Sequence, residues 1–183
     1  MTFHVKHKDI AIISLFIALL IALGFIPPLP VGFLPVPIVL QNLGVLLAAA
    51  LLGPKRGTIV VALFFLLVLV GLPVLSSRSA GIAVFYGPSG GFLWGWLLAP
   101  AIYGLGDRLL GTHHGLWQRG ILLWLSGAVL VDGLGALWLS IGLHMPLTSA
   151  LMASLIFIPG DTLKTVLATL VAERVQHALP VHD

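Results

Sequence analysis

The run Pro159-Gly160-Asp161-Thr162-Leu163-Lys164 places a carboxylate and an ammonium three residues apart, so both fall on one face of a helix. Around them the chain is almost wholly apolar. Charged residues make up 8% of it, against about 25% in a soluble domain. A charge at the centre of a membrane helix costs roughly 2.5–3.5 kcal/mol even on the lenient insertion scale. Two such residues in one turn must either hold each other or bind something polar in a cavity. Pro159 and Gly160 interrupt the helix just ahead of them. A helix that begins there presents unpaired N–H groups, which favour anions and polar ligands, and Asp161 can cap it. The structural reading is a cap plus an internal ion pair. The ligand reading has Asp161 accepting from a ligand N–H, with Lys164 meeting a carboxylate or carbonyl oxygen.

Other polar residues in apolar surroundings are few. Gln41 and Asn42 sit one turn into an expected second span, where an amide needs partners for its donors and its acceptor. Gln41 suits interhelical bonding and ligand contact equally, and Asn42 reads as packing. Asp132, near the middle of a fifth span, has three open roles: pairing with Lys164, lining a cavity, or carrying protons. Tyr86-Gly87-Pro88-Ser89-Gly90-Gly91-Phe92 is a tight turn whose glycines allow close backbone approach. Its two aromatics could wall a small ring, and Tyr86 and Ser89 are candidate ligand contacts. His113 and His114 are adjacent, so they cannot face one metal from a helix, and they read as loop residues. His144 reads as an interface residue. There are no cysteines, which excludes disulfides, thiolate metal sites and a cysteine nucleophile.

The elements that must position these residues are membrane helices. The hydrophobic fraction is 59% and mean hydropathy is +1.13, and several uncharged stretches are long enough to span a bilayer. The 183 residues leave room for about six spans of about 20 residues. The expected spans are Asp9 to Ile26, Pro37 to Leu52, Gly57 to Leu72, Gly91 to Leu105, Arg119 to Leu143, and Leu147 to Ala172 with a break at Pro159-Gly160. The first is too long for a signal-peptide core and is expected to be retained. The whole chain, 1–183, reads as one transmembrane domain with short tails at about 1–8 and 176–183. The basic pI reflects only three net charges and no basic cluster with interleaved aromatics, so nucleic acid is not an expected partner.

Orientation follows from the Lys/Arg distribution. With the N-terminus in the cytoplasm, Lys6, Lys8, Lys55, Arg56, Arg108, Arg119 and Arg174 lie inside, only Arg78 lies outside, and Lys164 is within the membrane. Both termini are then cytoplasmic. The outer loops, Pro27 to Val36, Pro73 to Gly90 and Ser140 to Pro146, are rich in proline, glycine and serine. Stiff loops of this kind can roof a cavity with little entropy to lose, so the site is expected near the outer side. On the first helix Ser14, Ala18 and Ala22 form a stripe of small residues that lets another helix approach closely.

Five segments in order resemble one family. They are Val36-Pro37-Ile38-Val39-Leu40-Gln41-Asn42-Leu43, Leu51-Leu52-Gly53-Pro54-Lys55-Arg56-Gly57, Gly71-Leu72-Pro73-Val74, Gly87-Pro88-Ser89-Gly90-Gly91-Phe92, and the Pro159–Lys164 run. Together they are similar to the BioY family, the biotin-specific S components of energy-coupling-factor (ECF) transporters. The resemblance spans nearly the whole chain. It implies an all-α integral membrane protein of six transmembrane helices with an S-component-like fold in a bacterial cytoplasmic membrane. It also implies biotin as transported ligand, no cofactor and no enzymatic activity. The implied partners, besides membrane lipid, are a transmembrane coupling protein and ATPase subunits that supply ATP hydrolysis, or a further copy of the chain. Asp161, Lys164 and Gln41 match the family's ligand-contacting positions, and Ala18 and Ala22 match the helix face that meets the coupling protein. The sequence departs from the family pattern at Val39, Ser89 and Phe92, in the Ser76–Gly81 run, and at Asp132, which the pattern does not anticipate. An S component for another vitamin is the nearer alternative. An intramembrane enzyme built on Asp132, Asp161 and His144 is the more distant one.

Overall fold

The computed structural model describes residues 7–32, 34–111 and 115–178. His113 and His114, Lys6 and most of the two expected tails lie outside the described residues. Helices account for nearly all regular structure: α1 (His7–Gly24), α2 (Asn42–Leu69), α3 (Ala83–Tyr86), α4 (Gly90–Leu110), α5 (Leu116–Trp124), α6 (Leu130–Gly142), α7 (Leu147–Ser154) and α8 (Ile158–Ala178). A π-helical turn over Leu125–Val129 joins α5 to α6, so they run as one rod. Among the described residues, three helical stretches are long and apolar enough to cross a membrane: α1, α2 counted end to end, and the α5–α6 rod. The α7–α8 pair is a fourth if its 50° bend lies within one span.

α2 is not one straight rod. Gly53 has φ 72° and ψ −173°, a left-handed conformation that glycine adopts without steric penalty. A Cβ placed on Gly57 would lie 2.9 Å from the carbonyl oxygen of Ala48. Nine residues along a continuous helix span about 13.5 Å, so the chain has reversed at Gly53. α2 is a helical hairpin. Pro54 stands at the start of its second arm, where a missing N–H deprives the helix of nothing.

Polar contacts mark two ends of the bundle. At one end Arg56 in the hairpin turn pairs with Asp9 at the start of α1, at 2.7 Å. There too, Arg119 of α5 donates to Gln176 of α8 at 2.8 Å, and Gln176 donates to the Ala50 carbonyl at 3.3 Å. At the other end the Trp138 indole donates to the Gly87 carbonyl at 2.9 Å and the Ser140 hydroxyl to that of Met145 at 2.9 Å. Arg56 and Arg119 thus lie at one end, and the connections that hold Gly87 and Met145 at the other.

Between the ends, a core of Val60, Phe64, Phe65, Phe85, Trp96 and Leu139 is buried where α2, α3, α4 and α6 meet. Gly91 allows α4 to lie against α6, since a Cβ there would stand 2.3 Å from Trp138 Cβ and 2.5 Å from the Leu134 carbonyl.

Two expectations need correction. The second span starts at Asn42, not Pro37. Leu29 and Ile38 exchange both backbone hydrogen bonds, at 2.8 and 2.9 Å, which holds the chain extended up to the helix. Gln41 and Asn42 therefore sit at the helix N-terminus rather than one turn inside it. The last long helix begins at Ile158, so Pro159 and Gly160 lie within its first turn. Proline is accommodated there because first-turn N–H groups have no intrahelical partner anyway. The bend falls just before it, between Ser154 and Ile158.

Candidate functional site

A cavity opens among the segment before α2, the loop after it, and the helices α4, α6 and α8. Its walls include Ile38, Gln41, Asn42, Ser76, Ser89, Phe92, Trp96, Val131, Asp132, Phe157, Asp161 and Lys164. About 80 Å³ is open to the centres of water molecules, several times what a single water needs. Apolar side chains dominate, with a few convergent polar groups, as is usual for a small-molecule site. Phe92 and Phe157 meet edge to face, ring centres 5.4 Å apart, and close one wall.

Lys164 and Asp161 are the charged heart of the cavity. Nζ of Lys164 lies 2.6 Å from Oδ1 of Asp161, with the two residues only 8% and 5% exposed. The i, i+3 spacing predicted by the sequence brings them together. α8 is braced at this point, because the Trp124 indole donates to the Thr162 hydroxyl at 2.9 Å, and Thr162 donates to the Ile158 carbonyl at 2.7 Å. Thr165 donates to the Asp161 carbonyl at 2.8 Å. The pair is therefore held on a helix whose first turn cannot rotate freely.

Gln41 lines the same cavity, but its amide is engaged with the protein. Nε2 donates to the carbonyls of Leu20 and Val74, both at 2.9 Å. Oε1 accepts from the Ser76 N–H at 3.2 Å and the Ser76 hydroxyl at 3.3 Å. This side chain clasps the end of α1, the start of α2 and the loop that follows α2. A ligand that reaches Oε1 would replace the longer hydroxyl bond.

Ser89, at the entry to α4, lies in the cavity wall. Tyr86 does not. The four-residue helix α3 turns Phe85 inward, at 5% exposed, and so turns Tyr86 outward, at 75% exposed. Phe92, with Trp96 one turn further along α4, supplies the aromatic wall instead. Asp132 lines the cavity, and the ion pair of Lys164 is with Asp161 rather than with Asp132. His144 lies outside the lining and is exposed, so it does not join Asp132 and Asp161. Arg78 is likewise outside it, its guanidinium 5.3 Å from the ring centre of Phe25. Trp96, Val131 and Phe157 were not legible as lining residues, because only the packing of three separate helices shows which apolar side chains face inward.

Ser14, Ala18 and Ala22 are all exposed on α1. No helix among the described residues covers this small-residue stripe, so it is not used for packing within the chain.

A helical membrane bundle with a closed-in polar pair in an otherwise apolar cavity defines a small-molecule-binding membrane protein. Known proteins refine that class. The BioY family model matches residues 1–181, and the chain belongs to the BioY family. A biotin transporter BioY of Lactococcus lactis subsp. cremoris (strain MG1363) is 42% identical over 178 residues, covering 96% of this chain and 94% of that protein. A biotin transporter BioY of Rhizobium etli is 39% identical over 183 residues, covering 95% of this chain and 96% of that one. The crystal structure of the S-component for biotin from an ECF-type ABC transporter matches with a TM-score of 0.89 at 42% identity. It covers 97% of this chain and 95% of that one. The fold is that of an ECF S component.

Proposed function

We propose that this protein is the biotin-binding S component of an ECF-type transporter and takes up biotin across a bacterial cytoplasmic membrane. The family places the chain among transporter components rather than enzymes. The observation that carries the reading is the buried Asp161–Lys164 pair facing the cavity. Biotin offers a cyclic urea with two N–H donors and a carbonyl, an apolar bicycle and tail, and a carboxylate. Asp161 has a second oxygen to accept an N–H, and Lys164 has N–H groups left for a carbonyl or carboxylate oxygen. Phe92, Trp96, Val131 and Phe157 suit the bicycle. Ser89 is a polar contact at the rim, and Gln41 holds the wall in shape. Tyr86, pointing away, has no part in the contact.

Six membrane spans with both termini cytoplasmic fit this reading. The hairpin in α2 supplies two of the spans, and α1, α4, the α5–α6 rod and α7–α8 supply four. Asp9 with Arg56, and Arg119 with Gln176, place the basic ends of several helices together, as the positive-inside rule requires of one membrane face. The cavity lies toward the opposite, outer end. The whole chain serves as one transmembrane domain. ATP hydrolysis belongs to partner subunits, and the exposed Ala18–Ala22 face suits the transmembrane coupling protein, with a second copy of the chain as the other occupant.

Calorimetry of biotin binding to the detergent-purified protein tests the assignment, with Asp161→Asn and Lys164→Ala alongside. Binding by the wild type that is lost in both variants supports ligand and site together. Absence of binding by folded wild type removes biotin from the account and leads to a screen of other vitamins.

A further inference from the structure

The cavity holds polar atoms that the Asp161–Lys164 pair does not account for. Asp132 is 5% exposed and Asn42 is 3% exposed, and both line the cavity. Asn42 donates through Nδ2 to the Gly127 carbonyl at 3.3 Å. Its Oδ1, and Oδ2 of Asp132, are buried with no hydrogen-bond partner among the described residues. A buried acceptor without a donor is expensive, and native proteins retain few of them. Two in one cavity, on different helices, point to a donor that arrives with a ligand.

The backbone is shaped to put one of them there. The π-turn over Leu125–Val129 holds one residue more than an α-turn. One residue rotates the following face by about 100°. Asp132 comes three residues after that turn, so its inward direction depends on it. Gly127 lies within the turn, where a Cβ would stand 2.0 Å from Leu46 Cδ2. Close packing of the rod on α2 and the hydrogen bond from Asn42 thus meet at the turn that orients Asp132. Such π-turns inside helices are rare and occur often at functional sites.

Donor counts decide what the acceptors meet. The lining carries two acidic side chains, Asp132 and Asp161, and one basic one, Lys164, among the described residues. The unpartnered oxygens of Asp132 and Asn42 favour a head group rich in N–H donors. A cyclic urea has two N–H groups flanking one carbonyl. Asp161 and Asp132 supply one acceptor each, and Lys164 supplies the donor.

Resting on the biotin assignment above, we propose that Asp132 is a further ligand-binding residue. Its unpartnered oxygen takes the second N–H of the cyclic urea, with Asn42 Oδ1 as a supporting acceptor. The cavity then discriminates by counting N–H donors.

The test pairs a variant with isosteric ligands. Biotin and its two cyclic carbamate analogues, in which a ring oxygen replaces one or the other urea N–H, are titrated calorimetrically into wild type, Asp132→Leu and Lys164→Ala. Thermal unfolding of each ligand-free protein is recorded alongside. Asp132→Leu is expected to weaken biotin by about tenfold, the loss of one buried hydrogen bond. One carbamate should bind wild type weakly by a similar factor, yet bind Asp132→Leu no worse than biotin does. The ligand-free variant should melt at or above the wild-type temperature, because a buried unpaired acceptor has gone; a purely structural acid would give a lower melting temperature instead. Unchanged biotin affinity in Asp132→Leu, with binding still lost in Lys164→Ala, overturns the role of Asp132 and leaves the biotin assignment standing. A melting temperature well below wild type with the carbamate discrimination intact also overturns it. Failure of wild type to bind biotin overturns both.

Discussion

Nζ of Lys164 and Oδ1 of Asp161 stand 2.6 Å apart, one turn along α8, with both side chains almost wholly out of solvent. The pair is internally satisfied and also open to the cavity, so the structural and the ligand readings of these residues are compatible. Within the pair the two charges offset each other. Removing one partner strands the other, at a cost of about 3–5 kcal/mol, whereas replacing both by apolar groups is often neutral or stabilising. We therefore expect Lys164→Met to lower the melting temperature of the ligand-free protein and the Asp161→Leu/Lys164→Met double variant to restore much of it. Neither variant should bind biotin. Recovery of binding in the double variant would assign the pair to stability alone. Thermal unfolding and calorimetry on the same preparations read both effects.

Gln41 links three segments through four hydrogen bonds. Gln41→Leu keeps the bulk and removes every one of them. It leaves the Leu20 and Val74 carbonyls and the Ser76 N–H without this partner, at about 1–3 kcal/mol for each buried group left unsatisfied. The expected result is a clear fall in melting temperature together with weaker binding, because Ser76 and the adjoining cavity wall lose their anchor. Excess ligand should recover part of the stability by mass action. A variant as stable as wild type, yet unable to bind, would mean that the amide touches the ligand and has little bracing role.

How far the sequence leads can be seen at three positions. The pairing of Asp161 with Lys164 is a local relationship, set by helical periodicity, and is legible from spacing alone. The reversal at Gly53-Pro54 is also local, since a positive-φ glycine before a proline ends one helix and starts another. The direction of Asp132 is not local. It depends on the π-turn at Leu125–Val129, which has no periodicity signal because it inserts a residue into the period itself. The outward turn of Tyr86 is equally hidden, since four residues of helix are too few to show a pattern, and the burial of Phe85 against Phe65 decides it (ring centres 5.2 Å apart). The start of α2 is hidden for a different reason: the bridge between Leu29 and Ile38 pairs residues from two ends of a proline-rich loop.

The glycines of α4 and α6 predict effects of opposite sign. A Cβ on Gly91 would meet Trp138 Cβ at 2.3 Å and the Leu134 carbonyl at 2.5 Å. Backbone cannot yield as a flexible side chain can, so Gly91→Ala should force α4 away from α6, at about 1–3 kcal/mol. Because Ser89 and Phe92 flank it in the cavity wall, binding should weaken as well. A Cβ on Gly133 has nothing within 4 Å. Gly133→Ala should therefore stabilise the helix by about 0.5–1 kcal/mol through reduced backbone freedom. Melting temperatures that move in the same direction for both would contradict the packing described for α4 and α6.

The exposed face of α1 separates binding from transport. Ser14, Ala18 and Ala22 follow one another at every fourth residue, all are exposed, and none lines the cavity. Stripes of this kind let a second helix come within backbone distance, an approach that a large side chain blocks. Ala18→Trp should thus leave biotin affinity within about twofold of wild type, since no ligand contact is touched. It should abolish ATP-dependent uptake in proteoliposomes that contain the coupling protein and ATPase subunits. Leu98→Trp, on an exposed part of α4, controls for bulk alone and should transport normally. Uptake by Ala18→Trp at the wild-type rate would place the coupling surface elsewhere. Loss of binding in that variant would show instead that α1 reports to the cavity, through the Leu20 carbonyl held by Gln41.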